Sequence, residues 1–140
     1  MIENNKRLVR QFYDELWNRG HIAIADELVA EGTIRHDPAG PVAAGPAGFA
    51  ANVARIRRAI PDLVLTIDLM LAEDDLVAAR WTITGRHDGA LESPLGVIPP
   101  SQRDISFSGV NIFRIAGGKV AEIWNHRDDL AFLRQIGAVP

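Results

Sequence analysis

The chain has 140 residues, 47% of them hydrophobic and 24% charged, an ordinary globular composition able to bury roughly 68% of the surface of its unfolded chain. A formal charge of −3 offers no electrostatic footprint for nucleic acid or an anionic membrane. The lack of cysteine excludes a disulfide framework, thiol chemistry and thiolate metal sites. The polar start, Glu3 to Arg7, is unlike a signal peptide, and no apolar run approaches the about 18 residues of a membrane span. A soluble, cytoplasmic protein is expected.

Residues 4–19 place Leu8, Val9, Phe12, Tyr13, Leu16 and Trp17 on one helical stripe, with Gly20 as its stop. A shorter helix over 21–30 carries Ile22, Ala25, Leu28 and Val29, and a brief strand over 33–37 ends at Pro38. After the small-residue loop AGPVAAG, Pro46 suits a first helical turn, and Phe49, Val53, Ile56 and Ile60 continue the stripe to Pro61. The cluster Arg55, Arg57 and Arg58 on this helix reads as a solvated face. Two alternating runs, 63–72 and 76–87, flank Glu73-Asp74-Asp75 as a hairpin. A loop over 88–102 follows, long enough to be a lid, a binding loop or a dimer contact. Strand 105–115 turns at Gly117-Gly118 into strand 119–127, and a helix near 129–136 closes the chain before Gly137.

Helices followed by hairpin-linked strands imply an α+β fold with an antiparallel sheet packed on helices. A strongly curved sheet wrapped around the N-terminal helices would form a cone with an internal cavity, and a few polar side chains interrupt its apolar faces. Asn111 shares a face with Ile105, Phe107, Gly109, Phe113 and Ile115. Burying its amide without a partner would cost about 1–3 kcal/mol, so it must bond to a neighbour, a water or a ligand. The same rule sets His87 at the end of Val77, Ala79, Trp81 and Ile83, and turns His36 inward beside Ile34. It also puts Trp124, His126 and Asp128 together, and gives Asp37 the opposite direction from His36. Tyr13, Trp17, Asn52 and Trp81 complete the expected lining. The histidines lack metal-ligand spacing, so neither a metal nor another cofactor is expected. The even-numbered sheet face keeps Val64, Met70, Val110 and Ile112, which favours a homodimer joined through that face.

Several strings carry a family likeness: NRGHIAIADELVA, RHDP, AARWTITGRHDG, GVIPPSQR and GGKVAEIWNHRDDLAFLRQIG. Together they resemble the SnoaL-like polyketide cyclases of the nuclear-transport-factor-2-like superfamily, over nearly the whole chain as a single domain, 1–140. In that family a tryptophan on the last strand precedes by four residues an aspartate that opens the closing helix, and Trp124 and Asp128 fit the spacing. Ala131 departs from the glycine common in relatives. The resemblance implies that Asp128 is the acid/base of an intramolecular aldol cyclisation, while an aspartate there also suits a helix N-cap. Asp129 could be the cap instead. His36 stands as the second catalytic candidate. Tyr13, Trp17, Asn52, Trp81, His87, Asn111, Trp124 and His126 are the candidates for binding a small hydrophobic substrate.

A fainter likeness is to the ketosteroid isomerases, whose tyrosine-to-asparagine spacing maps to Tyr13 and Asn18. Their base maps to Asp37 before Pro38, and their oxyanion aspartate to Asn111. The alternatives to a cyclase are therefore an isomerase or epoxide hydrolase of the same fold, or a non-catalytic ligand-binding or dimerisation domain.

Overall fold

The computed structural model describes residues 1–140, the side chain of Ala43 excepted. The first helix, α1 (Ile2–Gln11), runs straight into a wider π-helical segment, Phe12–Asn18, where the backbone N–H of Arg19 reaches the carbonyl of Asp14 five residues back. Its extra residue per turn places both Phe12 and Tyr13 on the buried side. Asn18 then ties this helix to the sheet edge, donating to and accepting from the backbone of Leu65 at 2.9 and 2.7 Å.

The helix expected over 21–30 is split. A 3₁₀ turn, Ile22–Ile24, leads into α2 (Ala25–Leu28), and Val29 is already extended. Strand β1 therefore spans Val29–Asp37. Part of the expected small-residue loop pairs back as β2 (Gly40–Ala43). Helix α3 (Gly45–Ala59) follows, then β3 (Val64–Glu73) and β4 (Leu76–Arg86). The expected loop 88–102 contains a two-stranded hairpin, β5 (Leu91–Ser93) and β6 (Gly96–Ile98). Strands β7 (Asp104–Ala116) and β8 (Lys119–Arg127) and helix α4 (Asp129–Gln135) complete the chain.

Six strands form one curved sheet in the order β2-β1-β8-β7-β4-β3. All neighbours are antiparallel except β1 and β8, which run parallel. The fold is α+β, with the helices against the sheet's inner face. Val77, Ala79, Trp81 and Ile83 of β4 and Ile105, Phe107, Phe113 and Ile115 of β7 supply the core there. Phe12 packs edge-on against Tyr13, Phe49 and Phe113, with ring centroids 5.2–5.8 Å apart, a geometry that adds to plain area burial. The outer face leaves Val64, Leu69, Leu71 and Val110 exposed; Met70, expected on that face, packs against the core instead, because the register shift between Ile67 and Leu69 reverses the alternation along β3. Among the described residues no helix is long and apolar enough to cross a membrane.

Candidate active site

A cavity of about 350 Å³ lies between the π-helical segment, α3 and the inner face of β4, β7 and β8, within the about 300–1,000 Å³ of small-molecule sites. Phe12, Phe49, Leu65, Ile83, Phe107 and Ile123 make its walls apolar. Leu91, Pro94 and Leu95 of the β5–β6 hairpin and Phe132 of α4 also line it.

One hydrogen-bonded chain of side chains crosses this apolar surface. Tyr13 Oη and Trp81 Nε1 both donate to Asn111 Oδ1, at 2.6 and 2.7 Å. Asn111 Nδ2 donates to Asn125 Oδ1 at 2.5 Å, and Asn125 Nδ2 donates to Asp37 Oδ1 at 2.8 Å. The register explains the contacts: Asn111 lies opposite Asn125 on one side and Ala79 on the other, so neighbouring side chains share the inner face. The direction of the chain is also determined. An indole N–H can only donate, so Trp81 must meet the amide oxygen of Asn111. The Asp37 carboxylate accepts, so Asn125 must present its NH₂ there. Each amide keeps one further N–H that this chain does not use. Burial pushes the Tyr13 hydroxyl well above its ordinary pKa, so it stays a neutral donor.

Gly109 makes room for this arrangement. A Cβ there would stand 2.5 Å from Trp81 Cζ2 and 2.7 Å from the His126 carbonyl, so the indole can lie across β7 only over a glycine.

The remaining polar lining is charged. Arg35 of β1, Arg55 of α3 and Arg127 of β8 all face the cavity, with Asp129 at the start of α4. Arg127 Nε pairs with Asp129 Oδ1 at 3.2 Å, and Arg35 Nε pairs with Asp37 Oδ2 at 2.9 Å. Asp129 is the one carboxylate of the lining, 45% exposed and so at the cavity's open side.

A profile of the SnoaL-like polyketide cyclases matches residues 7–136 of this sequence. The chain belongs to that family. Solved structures agree. TsrD from Streptomyces laurentii is 31% identical, with a TM-score of 0.84 over 98% of this chain and 97% of that one. AclR from Streptomyces galilaeus, named as a candidate hydroxylase, is 25% identical, with a TM-score of 0.85 and full coverage of both chains. A protein from Jannaschia sp. CCS1, named for the SnoaL-like polyketide cyclases, is 28% identical, with a TM-score of 0.83 over 99% and 94% of the two chains. Among curated proteins no match is found.

Within this SnoaL-like cavity, five of the residues singled out from sequence lie in the lining: Tyr13, Trp17, Asn52, Trp81 and Asn111. Five others do not. Asp128 is exposed, and its Oδ1 caps α4 by accepting from the Ala131 N–H at 3.1 Å. Trp124 and His126 point to the outer face, because Ile123, Asn125 and Arg127 are the inward residues of β8. The inward side of the chain thus continues to Asp129, and the parity expected for Asp128 is reversed. His36 is reversed too. It stacks on Trp124 with ring centroids 5.1 Å apart and bonds Glu122 Oε2 at 2.6 Å, outside the cavity. Hydrogen bonds from His36 and then from Arg114 hold the Glu122 carboxyl below the ordinary range.

In β1 the inward side is carried by Thr33, Arg35 and Asp37, while Ile34 is 41% exposed. An apolar residue on the outer face was the misleading marker in both strands. His87 is buried, but beneath the 88–102 segment. There its Nδ1 accepts the Ser101 backbone N–H at 3.1 Å and meets Ser101 Oγ at 2.8 Å. The expected solvated face of α3 holds for Arg58. Arg57 instead clamps the carbonyls of Trp17 and Asn18, and Arg55 enters the cavity lining. Arg35, Arg55, Asn125, Arg127 and Asp129 are thus lining residues that the sequence reading passed over. The inward parity of Ile123, rather than that of Trp124, was the signal that would have found the last three.

Proposed function

We propose that this SnoaL-like chain is a cofactor-independent acid/base catalyst that closes a ring in a hydrophobic carbonyl compound by intramolecular aldol addition. Asp129 takes a proton from a carbon next to a carbonyl. The resulting enolate carbon attacks a second carbonyl of the same molecule, forming the carbon–carbon bond, and the alkoxide oxygen takes the proton back. No leaving group, oxidant or reductant is needed. A proton between two carbonyls is acidic enough for one positioned carboxylate, and positioned acid–base catalysis contributes typically about 10²–10⁴-fold.

The unused N–H groups of Asn111 and Asn125 suit the enolate oxygen, as preorganised donors do in other acyl and enolate chemistry. Tyr13 and Trp81 hold those amides in place by occupying the Asn111 oxygen. The apolar walls fold the substrate so that its two reacting carbons meet. One observation carries the reading: the cavity's one lining carboxylate, Asp129, shares its apolar walls with the Asn111–Asn125 amide pair.

The test is hydrogen–deuterium exchange at the α-carbon of 2-tetralone, followed by NMR. The wild-type protein should accelerate exchange, and Asp129→Asn should lower the acceleration by about 10²-fold or more while 2-tetralone still binds. Exchange at the wild-type rate in Asp129→Asn would refute the assignment. We also propose that two copies associate through the outer sheet face, where Val64, Leu69, Leu71 and Val110 are exposed.

A further inference from the structure

The three arginines of the cavity are not equally compensated. Arg35 and Arg127 each have a carboxylate partner, Asp37 and Asp129. Arg55 has no carboxylate within ion-pair distance. Its Nη1 donates to the backbone carbonyl of Glu92 at 2.6 Å and its Nη2 to Asn52 Oδ1 at 3.1 Å, both neutral acceptors. The carboxylates of Glu92 and Asp129 act on it only from a distance. Burial pulls its pKa below the ordinary arginine value, and the like charges of Arg127 and Arg35 pull it further. A half-buried guanidinium beside two others costs free energy, which an anion placed among them would recover. Arg35 offers a second contact: its guanidinium lies 5.8 Å from the centre of the Phe49 ring, and only its Nε is engaged, by Asp37. The planar fork of arginine matches a carboxylate in two parallel hydrogen bonds.

We propose that the cavity takes a free carboxylic acid, a hydrophobic compound whose carboxylate is bound by Arg55 with Arg35 and Arg127 while its carbon skeleton fills the apolar walls. This rests on the reading of the cavity as the substrate site and narrows it: the substrate is an acid rather than its ester or another neutral compound. The polar partners of Arg55 give the site a further property. Its bond to the Glu92 carbonyl attaches it to the β5 hairpin, so the anion would bind next to the segment that covers the cavity.

The experiment compares 2-naphthoate with methyl 2-naphthoate, two probes of one skeleton that differ in charge, by quenching of Trp17 and Trp81 fluorescence and by calorimetry. The acid should bind at least about tenfold more tightly than the ester at low salt. Arg55→Gln should remove most of that preference, read as the ratio of acid to ester affinity within the variant, and an unchanged circular-dichroism spectrum and melting curve show that the fold is kept. Arg55→Lys should retain only part of it, since a point charge replaces a fork. Equal binding of acid and ester by the wild-type protein would overturn the proposal and leave the acid/base reading standing. An acid preference untouched by Arg55→Gln would overturn the assignment to this arginine. Binding of neither probe would overturn both readings. Loss of α-carbon exchange only, or its persistence in Asp129→Asn, bears on the catalytic reading alone.

Discussion

Exchanging one amide for a carboxylate tests whether the polar chain across the cavity has a fixed direction. Asn111→Asp keeps the side chain's shape and replaces Nδ2 by oxygen. Trp81 can only donate and Tyr13 donates to the same atom, so Asn125 must turn over to offer its NH₂ to the new oxygen. Its own oxygen then faces the Asp37 carboxylate, where an N–H···O bond of 2.8 Å now stands. One hydrogen bond to a charged group is lost, worth about 1.5–3 kcal/mol, and a buried charge is added. We expect Asn111→Asp to lower the unfolding free energy by about 2–4 kcal/mol, read by urea denaturation. Adding Asp37→Asn restores a donor at the far end, so the double variant should be more stable than the sum of the singles by about 1.5–3 kcal/mol. The deficit of the single variant should also shrink in acid, because a protonated carboxyl at position 111 can donate to Asn125. Additivity within about 0.5 kcal/mol would refute the directional chain.

Gly109→Ala should destabilise by about 1–3 kcal/mol through overpacking and shift the tryptophan emission, since the new methyl displaces the Trp81 indole; an unchanged spectrum would count against the close contact. His87 has its pKa lowered by burial from the usual 6.5, so below that value the unfolded chain takes up a proton that the folded chain refuses. Stability should therefore fall as pH drops from about 6.5 through the lower folded pKa, and His87→Leu should flatten that part of a pH–stability curve. Asp128→Asn retains a capping oxygen and should cost less than about 1 kcal/mol in a melting experiment, with α-carbon exchange unaltered. Light scattering at tens of micromolar should give twice the monomer mass if the outer sheet faces join; a monomer mass would dispose of that association.

The fold was legible where the largest apolar side chains of a strand share one face. In β4 and β7 the odd-numbered residues are buried almost without interruption, so Trp81 and Asn111 could be placed from sequence. In β1 and β8 the large apolar residues Ile34 and Trp124 lie on the outer face, and the inward positions include Arg35, Asp37, Asn125 and Arg127. A sheet whose outer face is also apolar gives parity no reliable marker, and bulges between the paired strands break the count further. Reading both strands one residue out of phase agreed with the family spacing in turning Asp128 inward, whereas Asp129 is the aspartate that lines the cavity, because a one-residue slip changes the face of every side chain. Arg55 escaped for a different reason. Long side chains carry their charge several ångströms from the helix, so its place in an arginine cluster did not show that its guanidinium reaches the cavity. His87 had the buried parity expected of it, but it lies beyond the last residue of β4, and its ring meets Ser101 rather than the cavity.

The most direct test of the catalytic reading is a crystal structure of the protein soaked with 2-tetralone. The carbonyl oxygen should lie within hydrogen-bonding distance of the Asn111 or Asn125 amide nitrogen, with an α-carbon turned toward the Asp129 carboxylate. Ligand density on the other face of β8, beside His36 and Trp124, or a carbonyl directed away from both amides, would contradict the account.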